Sequence, residues 1–117
     1  MLDFATNEFE LAKPQPDKAS LRDHLTVAEK AQRRPIERLH RSCPELLEYL
    51  WSWFLELSAA RSGNGAGPNP ISYAEIAAWG HLTGLRPTSF EVKILRALDI
   101  KFLTVMRTKD DDGNRSG

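Results

Sequence analysis

Hydrophobic positions recur with the period of an α-helix along most of the chain, and no run alternates long enough between apolar and polar residues to predict a strand. The most regular pattern lies at 43–61, where apolar residues follow the i, i+3, i+4, i+7 spacing of an amphipathic helix. Pro35 is expected to begin a short helical turn at 35–41. Further helices are predicted over 20–33, 72–82 and 89–107. The sequence therefore predicts an all-α protein, a small bundle of three to four helices.

Local capping signals support these helices. In a capping box, a Ser or Thr is followed three residues later by Glu or Gln, and each side chain binds a free backbone N–H group of the first turn. The sequence contains four such pairs: Thr26 and Glu29, Ser42 and Glu45, Ser72 and Glu75, and Thr88 and Glu91. Gly84 is expected to end the helix at 72–82, because glycine readily adopts the left-handed conformation of a C-cap.

The ends of the chain differ in composition from its centre. Pro14 and Pro16 cannot lie inside a helix, and 1–19 is predicted to be a flexible lead. The polar residues at the other end predict a disordered tail. The expected organisation is a lead at 1–19, a basic helical arm at 20–41, a compact helical domain at 42–107 and a disordered tail at 108–117.

The chain has 117 residues and a formal net charge of zero, which fits one domain and disfavours nucleic-acid binding through a polybasic surface. One cysteine allows no internal disulfide, and no apolar run is long enough to span a membrane. The default expectation is a protein of a reducing cytoplasm. Residues 13–41 nevertheless carry a net charge of +4 and residues 42–62 one of −2. Either the basic arm matches the acidic helix, or these charges form a solvated helix face.

No group of residues predicts catalysis or a metal site. Cys43 is not part of a recognisable Cys–His nucleophile. The three histidines, His24, His40 and His81, lack metal-ligand spacing. The glycines of 62–70 form no phosphate-binding loop, because no Gly-Lys-Ser/Thr follows them. We therefore expect no enzymatic activity, no metal and no cofactor.

Aromatic residues concentrate in the helix predicted at 43–61. Its aromatic positions span more than half of the helix circumference, and one buried face cannot hold all of them. Some are expected to contact the N-terminal arm or a partner protein, with Trp53 on the outer side; the alternative is that all lie in the core. The candidate interaction residues are Tyr49, Trp51, Trp53, Phe54, Tyr73, Trp79 and Phe90.

Several motifs within 45–106 together resemble small proteins encoded in the tail-assembly region of tailed bacteriophages and prophages. The pattern is a Trp-rich helix, a loop ending in G-P-x-P, a helix beginning S-Y-A-E-I, the tripeptide L-T-G, and a helix containing F-E-V and L-D. These motifs lie at Trp51 and Trp53, 67–70, 72–76, 82–84, 90–92 and 98–99. This chain has Phe90 where many of the similar proteins have Trp.

The resemblance implies a tail assembly chaperone. Such a helper is non-enzymatic, keeps the helical tape-measure protein soluble and recruits tail-tube subunits to it in the cytoplasm of the bacterial host. Two other classes stay open: a small helix-turn-helix-like DNA-binding regulator, and a structural tail component of the virion. The regulator is disfavoured by Glu91, because a carboxylate early in the second helix repels phosphate. No membrane partner is expected, and homo-oligomerisation is left open.

Overall fold

The structure, a computed structural model, describes the backbone of residues 1–65 and 67–116 and the side chains of 1–63, 65 and 67–107. Within these residues the chain is mostly helical, as predicted. The five α-helices are α1 (Leu2–Ala12), α2 (Leu21–Gln32), α3 (Glu48–Ala59), α4 (Tyr73–Thr83) and α5 (Ser89–Ser116). Two 3-10 turns, Glu37–His40 and Glu45–Leu47, lie between α2 and α3.

The N-terminal segment differs most from its prediction. Residues Leu2–Ala12 form helix α1 where a flexible lead was expected. Ala5, Phe9 and Leu11 are buried, and α1 packs mainly along α5. Pro14 does not prevent this helix, because it follows the last turn and forms a β-bridge with Ser20 in the connection to α2. The core therefore includes N-terminal residues and is not confined to 42–107.

The hydrophobic core lies mainly where α1, α3 and α5 meet. Phe54 and Leu98 are among its largest fully buried side chains. The buried cluster consists of Ala5, Phe9, Phe54, Leu57, Ile71, Ile76, Leu95, Leu98 and Val105. In contrast, α2 contributes no buried residue and lies on the outside of this bundle. Among the described residues, no helix has both the length and the apolar character needed to cross a membrane.

The connection between α3 and α4 contains a short hairpin that the sequence did not predict. Strand β1 (Gly63–Asn64) pairs antiparallel with strand β2 (Gly67–Pro68). The strands are too short to show an alternating pattern of apolar and polar residues, which explains why sequence periodicity missed them. Gly67 has a φ of 131°, a conformation that favours glycine.

Helices α4 and α5 begin with the hydrogen bonds of a capping box. The Ser72 hydroxyl accepts a hydrogen bond from the backbone N–H of Glu75 at 3.1 Å, and the Glu75 carboxylate accepts one from the Ser72 N–H. Thr88 and Glu91 make the equivalent pair. Gly84 ends α4 in the left-handed region with a φ of 76°. Local sequence thus positions both ends of α4 and the start of α5.

The other two proposed capping boxes are wrong. Thr26 lies inside α2, which begins instead with a capping box between Ser20 and Asp23. Ser42 and Glu45 do not cap α3, because residues 41–44 are not helical and a 3-10 turn without a side-chain cap precedes the helix. The same turn shortens the helix predicted at 43–61.

The last helix is longer than predicted. Helix α5 continues to Ser116, beyond the end expected at residue 107. The side chains of 108–117 lie outside the described residues, and the disorder expected for this tail stays a prediction.

The N-terminal cap of α4 allows a test of whether local sequence positions the helix ends. We expect Ser72→Ala to lower the free energy of unfolding by about 1 kcal/mol, because the N–H of Glu75 loses its acceptor. Ser42→Ala is the matched control and is expected to be near neutral, since Ser42 is exposed and caps no helix. Urea unfolding followed by circular dichroism measures both. Equal destabilisation of the two variants would contradict the assignment of the cap.

Candidate protein-interaction site

The seven candidate aromatic residues do not form one surface, because α3 presents them to different neighbours. Phe54 is 1% exposed, and the ring of Trp51 stacks on it with a centroid distance of 5.9 Å. From α1, Phe4 meets Trp51 edge-on at 5.2 Å and Phe9 lies 5.6 Å from both Trp51 and Phe54. The N-terminal segment that covers these two aromatics is therefore α1, not the basic arm at 20–41.

A second group of aromatic residues lies where α3, α4 and the start of α5 approach one another. Trp53 makes T-shaped contacts with Tyr49 at 5.0 Å and with Trp79 at 5.5 Å. Trp53 and Trp79 are partly buried against the core, and Trp53 is therefore less exposed than the sequence suggested. Tyr49 is 43% exposed and is hydrogen-bonded to Glu91 in the first turn of α5. Position 53 thus connects two helices instead of standing free.

Two strongly exposed side chains lie close in sequence to this second group. Leu46 precedes Tyr49 by one turn and is 87% exposed, and Phe90 precedes Glu91 and is 61% exposed. We name the set the aromatic face: Leu46, Tyr49, Trp53, Trp79 and Phe90. Singly exposed apolar residues are common on protein surfaces, whereas several within one area indicate a contact site. The aromatic face has the composition of such a site.

Hydrogen bonding shifts the pKa values of two groups at the edge of the aromatic face. The backbone N–H of Thr88, together with the Tyr49 hydroxyl, lowers the pKa of Glu91 below its usual value. The hydrogen bond to Glu91 also raises the pKa of Tyr49. Both shifts favour a hydrogen bond from the neutral Tyr49 hydroxyl to the Glu91 carboxylate.

Tyr73 lies on a different surface from the aromatic face. It is 64% exposed, and the Arg96 guanidinium lies over its ring at 4.7 Å from the centroid. Arg96 is held by a hydrogen bond from its Nη1 to the carbonyl of Ile71 at 2.7 Å. Tyr73 lines a groove of about 510 Å³ between α4, the loop that follows it and α5.

The sequence analysis missed a buried ion pair between Arg61 and Asp99. The Arg61 Nη1 atom lies 2.6 Å from Asp99 Oδ1, and the two side chains are 5% and 2% exposed. Asp99 Oδ2 also accepts a hydrogen bond from the N–H of Ile71 at 2.9 Å, and Arg61 donates one to the carbonyl of Asn69. The pair therefore ties the G-P-x-P loop to both α3 and α5.

The sequence contains one signal for this pair. Asp99 directly follows Leu98 and lies within the apolar stripe of α5, where an acid is unexpected unless it is paired. Arg61, at the end of the predicted helix, carries no comparable signal, because only the folded chain brings it to Asp99.

Of the two alternatives for the basic arm, a match with the acidic aromatic helix is not seen among the ion pairs of the described residues. Arg22 pairs with Glu8 at 2.6 Å and Arg38 pairs with Glu10 at 2.9 Å, both partly exposed. Asn7 of α1 also accepts a hydrogen bond from Arg38. The basic segment therefore complements α1, whose acids were expected to lie in a flexible lead.

The residues considered for catalysis or metal binding stay apart. Burial, more than any neighbouring charge, raises the pKa of the Cys43 thiol, which disfavours the reactive thiolate. His24 contacts Asp17 and His40 contacts Glu29, each as an isolated pair. Within the described part of the chain, no three His, Cys, Asp or Glu side chains are grouped to hold a metal ion.

Comparison with known proteins identifies the family. No curated protein and no solved structure matches the chain significantly. The sequence model of phage tail assembly chaperones matches residues 28–104, about two-thirds of the chain. This range contains the aromatic face, the groove beside Tyr73 and the buried ion pair, whereas α1 lies outside it. The match agrees with the resemblance in the sequence motifs, and the chain belongs to the phage tail assembly chaperone family.

Proposed function

We propose that this chaperone binds the phage tape-measure protein through the aromatic face and recruits tail-tube subunits to it in the host cytoplasm. Family membership provides the class of activity. The observation that carries the proposal is the exposure of two large apolar side chains close in sequence to the Tyr49–Trp53–Trp79 cluster, with Leu46 at 87% and Phe90 at 61%. A helper that keeps a hydrophobic helical client soluble needs such a surface.

The arrangement of the aromatic face suits a helical client. An amphipathic helix places apolar side chains at i, i+3, i+4 and i+7, which lie along a groove or ridge of matching length. The exposed acids Glu45 and Glu48 lie beside Leu46 and Tyr49, and Glu91 lies beside Phe90. This acidic rim favours client helices that carry Lys or Arg beside their apolar stripe.

Exposed residues of the aromatic face allow a test that leaves the core intact. We expect Leu46→Ser and Phe90→Ser together to weaken binding to a purified tape-measure segment about tenfold or more, because apolar contact area is lost. Ile100→Ser is the matched control, because Ile100 is 59% exposed and lies on α5 about 15 Å along the helix from Phe90. Isothermal titration calorimetry measures the affinities. An equal loss of affinity in the Ile100→Ser control would contradict the assignment of the aromatic face as the client-binding surface.

Two further measurements separate the proposed activity from other functions. If the protein were a DNA-binding regulator, it would bind duplex DNA with an affinity that falls steeply as salt is added. We expect no binding to duplex DNA even at low salt. If the protein were a structural tail component, it would be present in purified virions. We expect mass spectrometry of the particles to find it absent. Either positive result would contradict the proposal.

A further inference from the structure

The groove beside Tyr73 is an exposed concavity apart from the residues of the aromatic face, and the chain's own turn geometry forms it. Gly84, with a φ of 76°, turns the chain back after α4. The loop then passes so close to α4 that a Cβ at Gly80 would lie 3.0 Å from the carbonyl oxygen of Leu85. The result is an open groove of about 510 Å³ between α4 and the first turns of α5. This volume falls in the range of specific ligand sites.

The lining of the groove combines an apolar floor with a cationic edge. Ile76, Ala77 and Val92 form part of the floor, and Arg86 and His81 lie at its edge. Among the described residues, no Asp or Glu lines it. Arg86 is exposed and forms no ion pair with any described side chain. The groove therefore offers apolar contact beside a free positive charge.

We propose that this groove binds an acidic peptide segment of a tail-protein client, with an apolar side chain against Ile76 and Val92 and a neighbouring carboxylate on Arg86. A guanidinium paired with a carboxylate gives a directed, charge-assisted contact, and the apolar floor supplies burial. The aromatic face has an acidic rim, whereas the groove has a cationic one. The two surfaces therefore select client segments of opposite charge. The inference rests on the proposed function only in taking the peptide from a tail protein. The chemistry of the peptide follows from the lining of the groove.

The test uses a defined probe, a fluorescein-labelled dodecapeptide in which Leu pairs alternate with Glu pairs. We expect it to bind the wild-type chain, with methyl chemical-shift changes at Ile76 and Val92. Ala77→Trp, which fills the groove, and Arg86→Glu are each expected to weaken binding about tenfold or more. Ala78→Trp and Lys93→Glu are the matched controls, since both residues are exposed and do not line the groove. Both controls should bind as the wild type does.

Several outcomes overturn the inference. It fails if the peptide does not bind, if a version with Lys in place of every Glu binds equally well, or if groove and control variants lose the same affinity. Thermal unfolding of all four variants identifies any loss caused by misfolding, and Arg86→Lys should retain most binding if the charge at this position is what matters. If Leu46→Ser with Phe90→Ser abolishes tape-measure binding while the groove variants bind the peptide normally, the proposed function survives and this inference does not.

Discussion

Asp99→Ala is expected to lower the free energy of unfolding by about 3–5 kcal/mol, because it leaves the Arg61 guanidinium buried without its partner. The same change removes the acceptor of the Ile71 N–H and so one of the hydrogen bonds between α5 and the end of the G-P-x-P loop. Urea unfolding monitored by circular dichroism measures the loss. Glu37→Ala is the control, since the ion pair of Glu37 with Arg41 is exposed and its loss should change stability little.

A double variant separates the cost of an unpaired charge from the value of the pair. Arg61→Met with Asp99→Leu removes both charges, and we expect it to be more stable than Asp99→Ala alone, because no buried charge is left. The single variants Arg61→Met and Asp99→Leu complete the comparison. If the double variant loses as much free energy of unfolding as the two single variants added together, Arg61 and Asp99 do not act as a unit.

Phe9→Ala is expected to destabilise the fold by about 3–5 kcal/mol, the usual cost of removing a buried Phe side chain. Phe9 is 5% exposed, and its ring contacts Trp51, Phe54 and Phe102. Trp fluorescence during urea unfolding is a suitable measurement, because Trp51 lies directly against this ring. Leu2→Ala on the same helix is the control and should cost far less, since Leu2 is 38% exposed.

The Phe9 experiment also decides between two descriptions of the N-terminus. A flexible lead at 1–19 predicts no effect from either substitution, whereas a docked α1 predicts a large loss for Phe9→Ala alone. The family match begins at residue 28, and α1 therefore lies outside the matched range. Its contacts with Trp51 explain why that aromatic side chain is partly buried.

Local signals explain most of what was predicted correctly. The capping pairs at Ser72 and Thr88 and the glycine at position 84 act over three or four residues, and they position α4 and α5 wherever the helices pack. The Ser42 pair has the same composition but forms no cap, because the non-helical chain before Glu45 does not place the serine at a helix start. A capping pattern is therefore informative only where the following backbone is α-helical.

The surroundings of the candidate aromatic residues could be predicted from the sequence only in part. The aromatic residues of α3 could not share one face, and the structure places Trp51 and Phe54 against α1 and Tyr49 and Trp53 on another side. Helical periodicity gives the angle between such positions but not the element that covers each of them. Tyr73 was grouped with the other aromatics by composition, whereas the fold places it in a separate groove.

By itself, the sequence determined the all-α class, the positions of most helices and, through its motifs, the chaperone family. Those properties depend on hydrophobic spacing and caps, which are local along the chain. Only the tertiary structure decided that α1 covers Trp51, that the basic segment pairs with α1, and that Arg61 meets Asp99 in the interior. Each of these contacts joins residues far apart in sequence, and their free energy depends on desolvation and packing that no local pattern records.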